Sequence, residues 1–403
     1  VKLAETGKSA PRRLNLFVHC ASELLTDHAS HGDGLICFSL LNGLAERGHR
    51  IFAYARQADI RASHPGLVVR TERHRVPANT LAPAEHAFRA ERWLRSLARH
   101  EPIDLVWRMH PYTGVGYPNV RRLRGLPLVI GPLYYHWPDR ALTGRARPRF
   151  GLTLNGLTTP VAARGWQRAH RDASLLIAST PVHAGALRRE FPGASVIDLP
   201  VIVDPAGQQE ERDELPGGRA IRLIFVANLL PYKNPQIFCE IVRLLRDRGI
   251  PAEGVLLGDG PERAALEAYS RAHNLQNALC FAGRVHNSEV YRRIARADLL
   301  ISLSEGEPYG RSIVEAMSVG TPCVCHRSGG PADFIEHGVD GVLIDRLDAG
   351  DYAAEIGRIA ADPTRWEALS AGAARKAAGW TSEVVLTRLE AALLETVAGA
   401  RPR

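Results

Sequence analysis

The chain has 403 residues, 45% of them hydrophobic and 23% charged, with a formal net charge of +8. That length exceeds what one hydrophobic core fills, so two domains are expected, and the composition excludes a disordered or collagen-like chain. No window approaches eighteen consecutive apolar residues, which excludes a membrane-spanning helix.

The charge is unevenly split: residues 1–205 hold 28 Lys/Arg against 16 Asp/Glu, and residues 206–403 hold 23 against 27. A basic first half suits an anionic partner, such as a phosphorylated or lipid-linked molecule or a membrane surface, and a solvated Arg-rich surface with no such partner is the other reading. Nucleic acid is disfavoured, because the arginines are not interleaved with aromatics in a recognisable binding motif. The polar stretch 1–13 lacks the apolar run of a secretory signal. The six cysteines (Cys20, Cys37, Cys239, Cys280, Cys323 and Cys325) include no C-x-x-C pair and read as small buried hydrophobes in reduced form. The expectation is a cytoplasmic protein, with peripheral attachment at the inner face of a membrane open to its basic half.

Short apolar runs alternate with longer amphipathic ones, the pattern of a β/α chain that folds into parallel sheets. In chain order the first half offers strands at 14–18, 50–55, 104–108, 127–130 and 175–179. Helices fit at 34–47, 83–100, 161–171 and 181–190, and the Gly/Arg/Pro/Thr-rich stretch 140–156 reads as an irregular loop. At 204–219 Pro, Gly, Gln and charged residues displace apolar ones and mark a linker. A second series follows, with strands at 223–227, 254–257, 279–282, 299–303 and 322–326. Its helices fit at 235–248, 261–273, 288–297 and 312–319, and 382–398 is helical again. The expectation is an α/β protein of two doubly wound domains, 1–205 and 206–381, followed by a helical segment, 382–403.

The segment from Glu305 to Glu315 carries the most chemistry. A buried strand feeds a glycine-containing turn, Gly306 to Gly310, and then a helix beginning near Arg311. Free amides and the positive end of that helix dipole make an anion site suited to a diphosphate. Glu307 and Glu315, one near the turn and one inside the helix, are placed to grip hydroxyls on either side of such a group. Ser312-x-x-Glu315 is equally the pattern of a helix-capping box. Leu257-Gly258-Asp259-Gly260 invites a dinucleotide reading but lacks the third glycine. There is no Asp-x-Asp, no His/Cys/Asp cluster at metal-ligand spacing, no G-x-S-x-G and no P-loop, so no metal is expected.

Glu307-x7-Glu315, followed by Ala316-Met317-Ser318-Val319-Gly320-Thr321-Pro322 and Ser328-Gly329-Gly330-Pro331, resembles the donor-site signature of retaining family-4 glycosyltransferases with the GT-B fold. Further matches run in the family's order through the second half. They are Phe225 to Asn234, Leu257 to Glu262, Phe281-Ala282-Gly283-Arg284-Val285, and Ala297-Asp298-Leu299. The resemblance implies two Rossmann-like domains facing across a cleft, donor on the second and acceptor on the first, with a C-terminal helix crossing back to the first domain. It implies that Glu307 contacts hydroxyls of the transferred sugar and Glu315 the nucleotide ribose. The backbone from Gly310 to Ser312 would hold phosphates, Lys233 would neutralise the departing diphosphate, and Arg284 and Val285 would border the base. The family usually has an arginine five positions before the lysine, where this chain has Asn228. A neutral amide lacks a guanidinium's two-pronged grip, and Arg311 is expected to supply the missing charge.

In the first half, Ser30-His31-Gly32-Asp33-Gly34 resembles the family's glycine loop, with Gly32 where the backbone approaches the donor. A plain β-to-α turn is the other reading. Gly131-Pro132 stands where the family often has a histidine, as in a subset of its members. His136 within Tyr134-Tyr135-His136-Trp137, and His110 in Arg108-Met109-His110-Pro111-Tyr112, are the candidates for sugar and acceptor binding. The catalytic set is thus expected to be Glu307, Lys233 and His136, and the acceptor set His110, Tyr134, Tyr135 and His136. The implied reaction moves a hexose-type sugar, with retention and without a metal or other cofactor, from a UDP- or GDP-linked donor. The acceptor is a glycan, a lipid-linked molecule or a small molecule. A nucleotide-sugar epimerase and a non-catalytic sugar-nucleotide-binding protein are the alternatives.

Overall fold

The computed structural model describes residues 12–28, 32–71, 82–109, 125–132, 165, 167–204, 219–307 and 309–400. The expected loop 140–156, residues 161–164 and 166 of the expected helix 161–171 and residues 205–218 of the expected linker lie outside these, and the described part of that helix, 165 and 167–171, is helical.

The first sheet has seven strands: β1 (Asn15–Cys20), β3 (Arg50–Ala55), β5 (Leu67–Thr71), β6 (Leu105–Arg108), β7 (Leu128–Ile130), β8 (Leu175–Ala178) and β9 (Ser195–Asp198). They lie in the order β5-β3-β1-β6-β7-β8-β9, and all pair in parallel. Two three-residue strands, β2 (Leu24–Thr26) and β4 (Gln57–Asp59), form a separate ladder in the segments that leave β1 and β3. The second sheet comprises β10 (Ile221–Val226), β11 (Ala252–Leu257), β12 (Leu279–Gly283), β13 (Leu299–Ser302), β14 (Cys323–His326) and β15 (Val342–Ile344). Its order is β12-β11-β10-β13-β14-β15, again parallel throughout. Central strands such as Ile221-Arg222-Leu223-Ile224-Phe225-Val226 are nearly continuous apolar runs because helices cover both faces of a parallel sheet. In each sheet the strand order reverses beside the first strand, so a crevice opens at the carboxyl ends of β1 and β10.

All the expected strands are present, and the helix expected at 34–47 begins two residues earlier, as Gly32–Glu46. Strands β2, β4, β5, β9 and β15 and the helices Ala349–Ala360 and Pro363–Ala377 add to the sequence reading. Of the six cysteines, all free, five are buried as expected. Cys280 is exposed, because β12 is an edge strand.

The chain crosses between the two sheets twice. The outgoing stretch follows β9, and the return follows Trp380. The two crossings are bonded to each other: Val203 N donates to Trp380 O at 2.9 Å and Ser382 N to Asp204 Oδ1 at 2.9 Å. The returning helix, Ser382–Gly399, then packs on the first-domain helix Gly32–Glu46. A Cβ on Gly43 would lie 2.4 Å from Leu386 Cδ1, so the two helices approach closely only because that position has no side chain. Arg47 pairs with Glu383 at 2.7 Å and Glu390 at 3.0 Å, and the buried His49 meets Glu390 at 3.1 Å. One apolar cluster runs from Leu16 and Leu40 through Leu386 and Leu389 to Ile313 and Met317, so both domains share core. No helix among the described residues is long and apolar enough to cross a membrane.

Candidate functional site

A cleft of about 680 Å³ lies between the two sheets and is lined by residues that leave the carboxyl ends of their strands. The segment after β10 supplies Asn228 and Lys233, and that after β12 supplies Arg284 and Val285. The segment after β13 brings Glu307 and Gly310, followed by Arg311, Ser312 and Glu315 of the helix Arg311–Ser318. From the first domain come Gly32 and Pro132. Every donor-side residue singled out in the sequence is therefore on one wall or the other of the same cleft. His110, Tyr134, Tyr135 and His136 lie outside the described residues.

The geometry is set by β13. Its buried residues Leu299-Leu300-Ile301 fix the strand, and the chain then turns through Gly306 (φ 68°) and Gly310 (φ 89°) before the helix begins. Gly310 is the helix N-cap and no side chain caps it. The capping box that Ser312 and Glu315 suggested is not formed. Glu315 instead accepts from Arg311 Nε at 2.7 Å, and is itself almost wholly buried. The amides of Arg311 and Ser312 have no hydrogen-bond partner among the described residues, as first-turn amides of an uncapped helix do. One buried guanidinium nitrogen of Arg311, Nη1, is likewise without a partner among them.

Lys233 reaches the site on a short 3₁₀ turn, Pro231–Lys233. That turn is tied to the β13 segment from both sides: Glu305 N donates to Tyr232 O at 3.0 Å, and Asn234 Nδ2 to Leu303 O at 3.0 Å. The lysine ammonium consequently meets Glu307 Oε2 at 2.5 Å. Two acids and two cations thus stand as two pairs, Lys233–Glu307 and Arg311–Glu315, beside a helix end whose dipole favours anions.

Behind Glu307 lies a brace that the sequence reading quoted as part of the signature but gave no task. Gly330 N donates to Glu307 O at 2.7 Å. Ser328 Oγ donates to Ser304 O at 2.9 Å and accepts from Gly306 N at 3.2 Å. Gly329 (φ 57°) lies against the same peptide, and a Cβ there would sit 2.1 Å from the Glu307 carbonyl oxygen. Glycine is needed for both the left-handed backbone and the close approach. Across the cleft a Cβ on Gly32 would meet no protein atom within 4 Å, so a side chain there would project into the open space. The sequence reading also missed Tyr309. It lines the cleft and its hydroxyl accepts from Val201 N at 2.9 Å, a contact over 108 residues that no local pattern could signal.

A family model for glycosyl transferases group 1 matches residues 208–376, and a model for a glycosyl transferase 4-like domain matches residues 36–200. The 2-deoxystreptamine N-acetyl-D-glucosaminyltransferase of Niallia circulans is 30% identical over 158 residues, 39% of this chain and 40% of that protein, so the match spans less than half of that relative's length. The D-inositol 3-phosphate glycosyltransferase of Arthrobacter sp. (strain FB24) is 26% identical over 377 residues, 87% of each chain. Among solved structures, sucrose-phosphate synthase from Thermosynechococcus elongatus superposes with a TM-score of 0.72 at 17% identity, covering 96% of this chain and 100% of that one. Anabaena HepE, solved in complex with UDP and glucose, gives 0.66 at 18% identity, with coverage of 96% and 100%. Those two likenesses extend over both domains and show the same fold. The doubly wound sheets, the cleft between them and the two family matches, group 1 over the second domain and glycosyl transferase 4-like over the first, converge on one assignment: the chain is a glycosyltransferase with the GT-B fold.

Proposed function

We propose that this enzyme transfers a hexose-type sugar from a UDP- or GDP-linked donor, with retention at the anomeric carbon and without a metal ion, to a glycan, lipid-linked or small-molecule acceptor. The observation that carries the reading is the Lys233–Glu307 pair, set beside the uncapped start of the helix Arg311–Ser318 in the interdomain cleft.

Breaking the anomeric bond leaves an oxocarbenium-like sugar and a diphosphate that gains negative charge. Groups preset around that charge are usually the largest catalytic contribution. In this reading Lys233, Arg311 and the amides of Arg311 and Ser312 receive the diphosphate. Glu307 takes hydroxyls of the transferred sugar, and Glu315 those of the ribose. Arg284 and Val285 border the base, and Asn228 adds a neutral amide at the rim. The acceptor hydroxyl attacks from the face that the diphosphate leaves, and the departing phosphate oxygen takes its proton. Gly32 keeps the first-domain wall clear for this approach.

A uridine nucleotide is supported by HepE, which was solved with UDP and glucose. A small-molecule acceptor is supported by the two relatives, whose names specify 2-deoxystreptamine and D-inositol 3-phosphate. The basic first half suits a phosphorylated acceptor, or a lipid-linked one met in peripheral contact with a membrane.

The test is a transfer assay with UDP- and GDP-sugars, run with and without EDTA, on the parent and on Glu307→Gln. Turnover is expected to survive EDTA, and Glu307→Gln is expected to lower kcat by about 100-fold while UDP still binds. A Glu307→Gln enzyme as fast as the parent would sink the reading.

A further inference from the structure

Tyr309 lies in sequence between the two acids of the site, two residues beyond Glu307 and six before Glu315, and lines the same cleft. Its hydroxyl accepts from the backbone N–H of Val201 at 2.9 Å, and both residues are buried. Val201 belongs to the outgoing crossing. Leu199, two residues earlier, is tied to the first sheet by its own N–H, which donates to Ala178 O of β8 at 2.8 Å. The Tyr309 ring continues in the other direction. It meets Phe334 at 5.5 Å between centroids with the rings tilted by 31°, and Phe334 meets Trp380 edge-on at 5.7 Å. Trp380 O accepts from Val203 N, which joins the returning crossing to the outgoing one.

The loop that carries Glu307 is therefore fastened to both chain crossings through one side chain. A phenylalanine would pack on Phe334 equally well. The hydroxyl adds a single directional bond from the donor loop to a segment hydrogen-bonded to the first sheet. Any change in the setting of one domain against the other is felt at this bond and passed to a peptide two residues from Glu307. Such coupling matters because a catalytic group displaced by about 1 Å can cost 100-fold in rate.

We propose that Tyr309 is a positioning residue whose hydroxyl registers domain closure and sets Glu307 against the transferred sugar. The proposal rests on the donor-site reading of Glu307. The nucleotide is held by residues of the second domain, so its affinity does not depend on this bond. The geometry of the reacting centre, assembled from both domains, does.

The experiment is Tyr309→Phe in the full chain, with transfer kinetics and UDP calorimetry on the same preparation. The expected result is a UDP Kd and donor KM within about two-fold of the parent and a kcat about ten-fold lower, the pattern of an interaction used only when the reacting centre is assembled. A kcat within two-fold of the parent overturns the proposal, and so does a loss confined to thermal stability. Where Tyr309→Phe is too unstable to assay, hydrogen exchange on the parent supplies the second measurement. Protection of the Val201 amide is expected to rise when UDP-sugar binds, and unchanged protection overturns the proposal. A parent that transfers no sugar from any nucleotide donor would instead overturn the donor-site reading, so the two failures are distinct.

Discussion

At the level of single residues, the site holds its charge as two internal pairs. Lys233 neutralises Glu307, and Arg311 neutralises the almost fully buried Glu315. In the proposed function an incoming diphosphate offers both cations a stronger partner, which frees the carboxylates to accept from sugar and ribose hydroxyls. Charge-assisted hydrogen bonds contribute about 1.5–3 kcal/mol each. Arg311→Ala removes one such donor and is expected to raise the UDP Kd by at least about ten-fold by calorimetry. An unaltered Kd would mean that Arg311 does not stand in for the guanidinium missing at Asn228. Glu307, Arg311 and Glu315 were legible in the sequence through the strand, glycine turn and helix between Leu299 and Ser318, and Lys233 only through the family resemblance. The partnerships were not. Ser312 and Glu315 promised a cap, and only the folded loop reveals that Glu315 answers to Arg311. Tyr309 and Val201 belong to different domains, and nothing in a sequence encodes the register of one domain on the other.

Among the secondary-structure elements, long apolar strands were the readable ones. β10 and β13 are largely buried on both faces, and their composition announces it. Two peripheral strands were not: β15 has three residues, and β9 is an edge strand with no fully buried position. Two helices that the sequence reading left unassigned, Ala349–Ala360 and Pro363–Ala377, did carry start signals. Asp348 and Asp362 cap them, accepting from Asp351 N and Arg365 N at 3.1 Å each, and Pro363 occupies a first-turn position. The closing helix is the element with most at stake, because it belongs by contact to the first domain and by chain order to the second. Leu386 is buried against Gly43 at the centre of that contact. Leu386→Ala is expected to cost about 2–5 kcal/mol, as buried leucine truncations do, read as a lowered melting temperature. A melting temperature equal to the parent's would show that the helix is not bound there by packing.

For the molecule as a whole, pH tests the fold independently of its chemistry. Burial pushes the His183 imidazole down to about 4 from its ordinary 6.5. Burial, followed by the neighbouring Arg108 and His86, also holds His19 well below its usual range. Both histidines are neutral in the folded protein and take up protons more readily once unfolded. The stability they contribute is complete above about pH 6.5 and is lost as the pH falls towards 4. Asp333, whose carboxyl burial raises despite the hydrogen bond from Thr180, opposes this at the acid end. Urea unfolding is expected to give a lower midpoint at pH 5 than at pH 7, and His183→Gln is expected to narrow the gap. Equal parent midpoints at the two pH values would contradict this.

The bonded crossings restrict how the halves can move. Val203 joined to Trp380, and Asp204 joined to Ser382, hold two strands of chain side by side like the spine of a book. Covers bound along a spine can swing apart but cannot slide past each other. Motion of one sheet against the other is then expected to be a swing about these paired crossings, which opens or narrows the cleft between them.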